Sequence, residues 1–183
     1  FLHAGPGYGG SCFPKDTVAL IRMAQEHGVS SRIVESVVEV NASQKARMVS
    51  KIRTALGGSE ADKTIAVLGL TFKPGTDDMR DAPSLAILPA LADKGAIIRA
   101  HDPQGMNEAR KELGDTIAYV DSIAEAVRDA DAVVLMTEWN EYRGLDLAKL
   151  KSQMRGNVFV DLRNVYEQDL MQRHGFEYSC VGR

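Results

Sequence analysis

Ile65-Ala66-Val67-Leu68-Gly69-Leu70 is a continuous apolar run, of the kind that forms a strand buried on both faces of a sheet. Similar runs follow it, separated by amphipathic segments with helical spacing. The predicted strands are 65–70, 97–100, 117–120, 132–136, 158–161 and 176–180, and the predicted helices are 84–94, 104–113, 123–128 and 147–154. This alternation predicts an α/β fold, a parallel sheet with helices on both faces.

Two helical patterns precede the sheet. The first covers 16–25 and stops at Gly28, a residue suited to a helix C-terminus. The second runs with interruptions from Ile33 to Leu56 and is rich in valine. Because β-branched residues have modest helix propensity, this helix needs packing to hold it. We expect it to be buried against another domain or another copy of the chain; packing on its own domain alone is the alternative.

The overall composition is that of an ordinary globular protein. The chain has 183 residues, 44% hydrophobic and 26% charged, with a net charge of -3. This charge disfavours nucleic acid binding, while a local basic site for a phosphate stays open. There is no apolar run of membrane-spanning length and no charged-then-hydrophobic leader, so we expect a cytoplasmic protein without a membrane partner. A start at Phe1 without methionine indicates a fragment that lacks an upstream part.

The most unusual local feature is the cysteine in Gly7-Tyr8-Gly9-Gly10-Ser11-Cys12-Phe13-Pro14-Lys15-Asp16. A thiol near a helix N-terminus and a lysine is favoured as a thiolate, which is the nucleophilic form. A loop cysteine packed under its neighbours is the main alternative. A disulfide with Cys180 is disfavoured in a chain without a disulfide framework. Metal ligation is disfavoured too, because the four histidines are scattered.

Polar residues follow the predicted strands, at the edge where ligands bind in parallel sheets. The loop after the first strand contains Lys73 and Arg80, which suit phosphates or sugar hydroxyls, although it has no G-x-G-x-x-G or P-loop spacing. Its aspartates, Asp77, Asp78 and Asp81, are predicted to fix the loop and to cap the next helix. A solvated charged loop is the alternative.

Three later strand ends carry weaker signals. Asp102 is predicted either to accept from a ribose or to form a turn before Pro103. The segment 137–142 suits a base or sugar pocket, or equally a helix start. Arg163 suits a bidentate anion contact. Together with the reactive cysteine, these ends predict a phosphorylated ligand held between two domains.

These segments resemble a known family. The chain is similar to the C-terminal part of the UDP-glucose 6-dehydrogenases, within the wider UDP-glucose/GDP-mannose dehydrogenase family. The resemblance covers essentially the whole chain. It is carried by GYGGSCFPKD at 7–16, LGLTFKPGTDDMRDAPS at 68–84, HDP at 101–103, TEWNEY at 137–142 and VDLRN at 160–164.

The resemblance implies an NAD-dependent double oxidation of UDP-glucose to UDP-glucuronate, through a thiohemiacetal and a thioester on a cysteine. A related dehydrogenase acting on GDP-mannose or a UDP-N-acetylhexosamine is one alternative, and a non-catalytic nucleotide-sugar-binding domain is another. A thiol hydrolase is disfavoured, because no histidine has a recognisable partnership with Cys12.

The resemblance also implies roles for ten residues and no metal site. Cys12 would be the nucleophile, and Asp16 would handle the water or the proton. Lys15 and Arg80 would contact NAD. The residues implied to bind the UDP-sugar are His3, Tyr8, Gly9, Phe72, Lys73 and Arg163.

Two domains are implied by the same resemblance. Residues 1–60 would be the end of a central helical, dimer-forming domain with the cysteine loop. Residues 61–183 would be a C-terminal UDP-sugar-binding domain with a Rossmann-like sheet. The amino-terminal NAD-binding domain is absent from this sequence, so we expect the fragment alone to be inactive and the full-length protein to be a homodimer through the long helix.

Overall fold

A computed structural model describes residues 3–182, and within them it contains one sheet of six parallel strands. The strand order is β3-β2-β1-β4-β5-β6, the doubly wound order of a Rossmann-like fold. The predicted fold class is confirmed. The strands are β1 Thr64–Leu68, β2 Ile97–His101, β3 Ala118–Tyr119, β4 Ala132–Leu135, β5 Val158–Asp161 and β6 Glu177–Cys180.

Eight α-helices and one 3-10 turn, Gly114–Thr116, connect and precede these strands in the described chain. The predicted helices are present within a few residues of their expected ends. The short helix α8 was not predicted, and α6 was only one of two alternatives for 137–142, because one or two turns are too short to show helical periodicity. The helices are α1 Phe13–Glu26, α2 Arg32–Ala55, α3 Pro83–Ala92, α4 Met106–Leu113, α5 Ile123–Val127, α6 Asn140–Arg143, α7 Leu147–Gln153 and α8 Gln168–Arg173.

The strands are buried on both sides, as their continuous apolar sequences predict. In β1, Ile65 and Val67 belong to a core cluster with α2, α3 and α4, whereas Ala66 and Leu68 belong to a second cluster with α5 to α8. This alternation follows from the two-residue period of a strand. The sheet therefore separates two apolar cores.

The helix α2 is continuous over 24 residues, although the apolar periodicity of its sequence is partly broken. Its C-terminal half buries Met48 and Ile52 against the sheet. In its N-terminal half Ile33 is 82% exposed and Val40 65% exposed, and α1 buries no residue fully. Burial of this half against a partner stays a prediction.

The strand order reverses between β1 and β4, and the loops that follow these strands open at the carboxyl edge of the sheet. Such a reversal leaves a crevice in which doubly wound proteins bind ligands. Among residues 3–182, no helix has both the length and the apolar character needed to span a membrane.

Candidate active site

A cavity of about 1020 Å³, open to solvent, lies at this edge and is lined by α1, α2, the loop before α1 and the loops after β1 and β5. Three segments far apart in sequence meet there. All six residues predicted to bind the nucleotide sugar line this cavity: His3, Tyr8, Gly9, Phe72, Lys73 and Arg163. Their contact with a ligand stays a prediction, but the fold brings them to one place.

The cavity is basic. Arg32, Lys73 and Arg163 line it together with His3, and no aspartate or glutamate of the described chain is among its lining residues. Low-dielectric walls concentrate the field of such cations, so an anion is favoured inside. The apolar surface is supplied by Phe13 and Phe72 and by valines of α2.

Arg163 is held firmly at the floor of the cavity. Its Nε donates to the Met136 carbonyl at 2.8 Å, and its Nη2 donates to the Phe72 carbonyl at 2.9 Å. The Glu138 carboxylate lies 3.1 Å from Nε. Burial lowers the pKa of Arg163, and Glu138 opposes that shift. Arg163 therefore joins the loops after β1, β4 and β5 while it faces the cavity.

The loop that carries Phe72 and Lys73 is anchored by Asp102. This buried carboxylate accepts from the backbone N–H of Leu70 at 2.7 Å and of Thr71 at 3.2 Å. Its other oxygen accepts from the N–H of Gly105 at 2.7 Å, which forms the predicted turn. With both oxygens occupied by these donors, the ribose-binding alternative for Asp102 is wrong.

The segment 137–142 begins a helix and does not form a ligand pocket. Trp139 precedes α6 and donates from its indole nitrogen to Asp102 at 3.2 Å, and Tyr142 is fully buried. Burial raises the pKa of Tyr142 far above its ordinary value. The helix-start alternative is the correct one, because both aromatic rings belong to the core.

Cys12 immediately precedes α1, and its thiol is free and exposed. Cys180 is free and buried, so neither the packed-cysteine nor the disulfide alternative describes Cys12. The cysteine loop is held against the loop after β1, since the Gly10 N–H donates to the Arg80 carbonyl at 2.7 Å. Gly10 has φ +90°, and a Cβ there would lie 2.8 Å from the Phe72 ring. Only glycine permits this approach.

Lys15, Asp16 and Arg80 lie outside the lining of the cavity. Lys15 and Asp16 form an exposed ion pair of 3.3 Å. Arg80 forms two side-chain hydrogen bonds with Asp78, at 2.8 and 2.9 Å. These bonds lower the pKa of Asp78 and raise that of Arg80, to which Cys12 adds a smaller shift in the same direction. The arginine and the thiol are thus electrostatic neighbours.

The predicted aspartate cap of α3 is wrong. Ala82 precedes α3 and makes no side-chain capping bond. Asp81 has φ +50°, and its backbone carbonyl accepts a hydrogen bond from the Lys45 ammonium. Asp78 does fix the loop, as predicted, through Arg80. Proline at the start of α3 makes a cap less necessary, because it has no N–H to satisfy. In the described part of the chain, no group of three His, Cys, Asp or Glu side chains is placed to hold a metal.

Sequence reasoning missed the polar residues that α2 contributes to the cavity wall, namely Arg32, Ser36, Asn41 and Gln44. A signal for Asn41 and Gln44 was present. They are the polar residues that interrupt the apolar periodicity of this helix. At these two positions the break in the apolar periodicity marks side chains that face the cavity and its loops.

Two family models match the chain. The UDP binding domain of the UDP-glucose/GDP-mannose dehydrogenase family matches residues 66–168, and the central domain of the same family matches residues 1–43. The UDP-glucose 6-dehydrogenase of Rhizobium meliloti is 52% identical over all 183 residues, which are 42% of the relative's length. The chain thus spans about two fifths of that curated relative.

Solved structures give the same result. A UDP-glucose dehydrogenase from Pyrobaculum islandicum matches 96% of the chain and 38% of its own, at 36% identity and a TM-score of 0.81. A UDP-D-ManNAc dehydrogenase from Pyrococcus horikoshii matches 98% of the chain and 40% of its own, at 27% identity and a TM-score of 0.82. The chain belongs to the UDP-glucose/GDP-mannose dehydrogenase family.

Proposed function

We propose that the chain is the C-terminal part of an NAD-dependent UDP-glucose 6-dehydrogenase. Residues 1–60 would end its central helical domain, and residues 61–183 would form its UDP-sugar-binding domain. The observation that carries the proposal is a basic cavity whose lining, within residues 3–182, contains no carboxylate, with the exposed Cys12 thiol adjacent in sequence to the lining residue Phe13. The identity of 52% to a UDP-glucose 6-dehydrogenase supports the choice of substrate.

The cavity suits a nucleoside diphosphate sugar in size and charge. Lys73 and Arg32 offer cations for the diphosphate. Phe72 offers an apolar surface. Gly9 lets the cysteine loop pack closely on the Asp81 backbone, because a Cβ there would clash with the Asp81 carbonyl oxygen. Arg163 adds a donor whose position is fixed by its bonds to two carbonyls. In this arrangement the sugar would point toward Cys12.

The proposed reaction has four steps. The C6 alcohol loses a hydride and a proton and becomes an aldehyde. The Cys12 thiolate adds to the aldehyde carbon, so that a C–S bond forms and the oxygen takes a proton, giving a thiohemiacetal. Loss of a second hydride and that proton gives a thioester, and water then breaks the C–S bond to release the carboxylate and the thiol.

Two local features support these roles for Cys12 and Asp16. Cys12 lies at the N-terminus of a 14-residue helix, where a negative charge is favoured. Asp16 lies one turn further along, and its backbone N–H donates to the Cys12 carbonyl at 2.8 Å. We propose that Asp16 takes the proton from the attacking water and that the Lys15 ion pair holds its carboxylate in reach.

NAD would be held mainly by residues outside this sequence and would accept both hydrides. In the described chain two exposed cations could contribute to binding NAD. Lys15 follows Cys12 by three residues, Arg80 lies on the loop that accepts a hydrogen bond from Gly10, and both fit phosphate groups. No strand here is followed by the glycine spacing of a dinucleotide site. We therefore propose that an upstream NAD-binding domain completes the site and that the chain alone is inactive.

We also propose that the full-length enzyme is a cytoplasmic homodimer through α2. The exposed apolar residues on α1 and the N-terminal half of α2 support a covered interface there. Two free cysteines fit a reducing compartment. Sedimentation equilibrium of the full-length protein tests the dimer, and a monomer at micromolar concentration would exclude it.

The central experiment is Cys12→Ser in the full-length enzyme. We expect no UDP-glucuronate to form, because an alkoxide is a poor leaving group from the acyl stage, while UDP-glucose binding is retained. Cys180→Ala is the control and should keep turnover, since this thiol is buried in β6. Acid formation at the wild-type rate by Cys12→Ser would contradict the mechanism.

A related substrate is the second candidate. The similarity to a UDP-D-ManNAc dehydrogenase, at a TM-score of 0.82, favours testing a UDP-N-acetylhexosamine beside UDP-glucose and GDP-mannose. Turnover of the full-length enzyme on each of the three separates these candidates. The highest kcat/KM on a substrate other than UDP-glucose would replace the proposed one.

A further inference from the structure

The loop before α1 has cavities on two sides. Tyr8, Thr17 and Asn41 line both the cavity of about 1020 Å³ and a second one of about 530 Å³ between α1, α2 and α3. Residues 3–12 contain no helix or strand. Pro6, Gly9 and Gly10 of this loop are buried, and Gly10 lies against the Phe72 ring. Tyr8 is only partly buried, so hydrogen bonds contribute to fixing its position.

Asn41 of α2 supplies two of these bonds to a single residue. Its Oδ1 accepts from the Tyr8 N–H at 2.7 Å, and its Nδ2 donates to the Tyr8 carbonyl at 3.1 Å. Three residues further along α2, Gln44 donates to the Gly5 carbonyl at 2.8 Å. Residues three apart lie on one face of a helix, so both amides reach the same loop.

Gly7 shows how closely the loop fits the asparagine. It has φ +127°, and a Cβ at this position would lie 2.8 Å from Asn41 Oδ1. A side chain would therefore push the amide away from Tyr8. The loop sequence and the helix sequence are matched at this contact.

The helix itself is fixed to the sheet. Met48 and Ile52 are buried in the core, and Lys51 donates to the Ser179 hydroxyl at 3.2 Å. Lys45 donates to the Asp81 carbonyl at 3.1 Å, on the loop that also carries Lys73. The helix α2 thus connects the substrate loop of the sheet with the loop that leads to Cys12.

We propose that Asn41 is a positioning residue that sets the place of the Cys12 thiol by holding the Tyr8 backbone. Cys12 follows Tyr8 by four residues, so a shift of this backbone moves the thiol relative to the aldehyde. This inference rests on the proposed function. A displacement of about 1 Å is enough to lower a rate by about a hundredfold.

The test is Asn41→Asp in the full-length enzyme. Aspartate keeps an acceptor for the Tyr8 N–H but places an oxygen opposite the Tyr8 carbonyl, where asparagine donates. We expect the rate of acid formation to fall about tenfold or more. The aldehyde should escape to an added hydroxylamine trap, so that hydrides transferred per sugar fall from two toward one. KM for UDP-glucose should change less than kcat.

A matched control is Asn107→Asp, an exposed asparagine on α4, which should keep the rate and the stoichiometry of the unchanged enzyme. Simple destabilisation would lower both oxidations together and leave the ratio at two. Equal stoichiometry and kcat in Asn41→Asp and the unchanged enzyme would overturn the proposal. If Asn41→Asp does not fold, Asn41→Ser, which removes both bonds without adding charge, replaces it.

Amide hydrogen exchange provides a measurement that does not depend on activity. In Asn41→Asp we expect faster exchange at Tyr8 and its neighbours, with β1 unchanged. Unchanged exchange at Tyr8 would overturn the positioning role. If the unchanged enzyme makes no acid from UDP-glucose, the proposed function fails while the exchange result still tests the contact.

Discussion

The sheet and the helices that precede it are built in opposite ways. In the sheet, Val67, Leu135 and Phe159 are fully buried and every strand is flanked by packed helices. The helix α1 buries no residue fully, and Ile33 on α2 is 82% exposed. The exposed thiol of Cys12 lies in this second region, immediately before α1. Apolar burial therefore stabilises the carboxyl edge of the sheet, whereas hydrogen bonds hold the loop that leads to Cys12.

The largest expected effect separates the two regions by stability. Phe159→Ala should lower the free energy of unfolding of the 183-residue chain by about 3 to 5 kcal/mol, because it opens a cavity in the core. The ring makes edge-on contacts with Tyr166 and Phe176 at 5.7 and 5.6 Å. Ile33→Ala should change it by about 0.5 kcal/mol or less. Urea denaturation measures both.

If Phe159→Ala and Ile33→Ala lowered the free energy of unfolding by similar amounts, the face of α2 that carries Ile33 would be packed in solution. A second comparison then uses the full-length protein. If the proposed dimer covers Ile33, its truncation should cost more there than in the chain alone, and the cost should depend on protein concentration. No difference between the two settings would argue against a partner on α2.

An intermediate effect is expected at Asp102, which holds the Lys73 loop on the sheet. Asp102→Asn turns an acceptor oxygen into a donor among backbone N–H groups, including those of Leu70 and Gly105. We expect a loss of about 1 to 3 kcal/mol, measured by urea denaturation. Asp121→Asn, at an exposed position, should be neutral. A neutral Asp102→Asn would show that this anchor is not needed.

The smallest expected effect is a titration on the exposed surface near Cys12. Arg80 lowers the pKa of Asp78 below its ordinary value of 3.8, so the ion pair stabilises the fold at neutral pH. That contribution is lost as the pH falls from 3.8 through the lower folded value. In Arg80→Ala the Asp78 pKa should return toward 3.8, as measured by carboxyl NMR. An unchanged Asp78 titration would contradict the pair.

The sheet was predictable because its local patterns are strong. A continuous apolar run such as Ile65 to Leu68 has apolar side chains on both faces of the strand, so both faces must be buried. Helical segments between such strands are typical of a parallel sheet. The short helix α6 was predicted only as one of two alternatives for 137–142, because its four residues carry no period. Asp102 was recognised as a turn residue, but its bonds to Leu70 and Thr71 join residues more than 30 positions apart. Sequence spacing does not show such contacts.

The sequence alone determined the fold class and the chemical character of the site: a glycine-flanked thiol and cations at the strand ends, because local patterns and residue chemistry are properties of short segments. Tertiary structure alone decided which of these groups share a cavity. It brought six predicted binding residues together from three segments, buried Trp139 and Tyr142 in the core away from the cavity, and placed Asn41 against Tyr8. The physical reason is that these contacts depend on how distant elements pack, and packing follows from the whole chain.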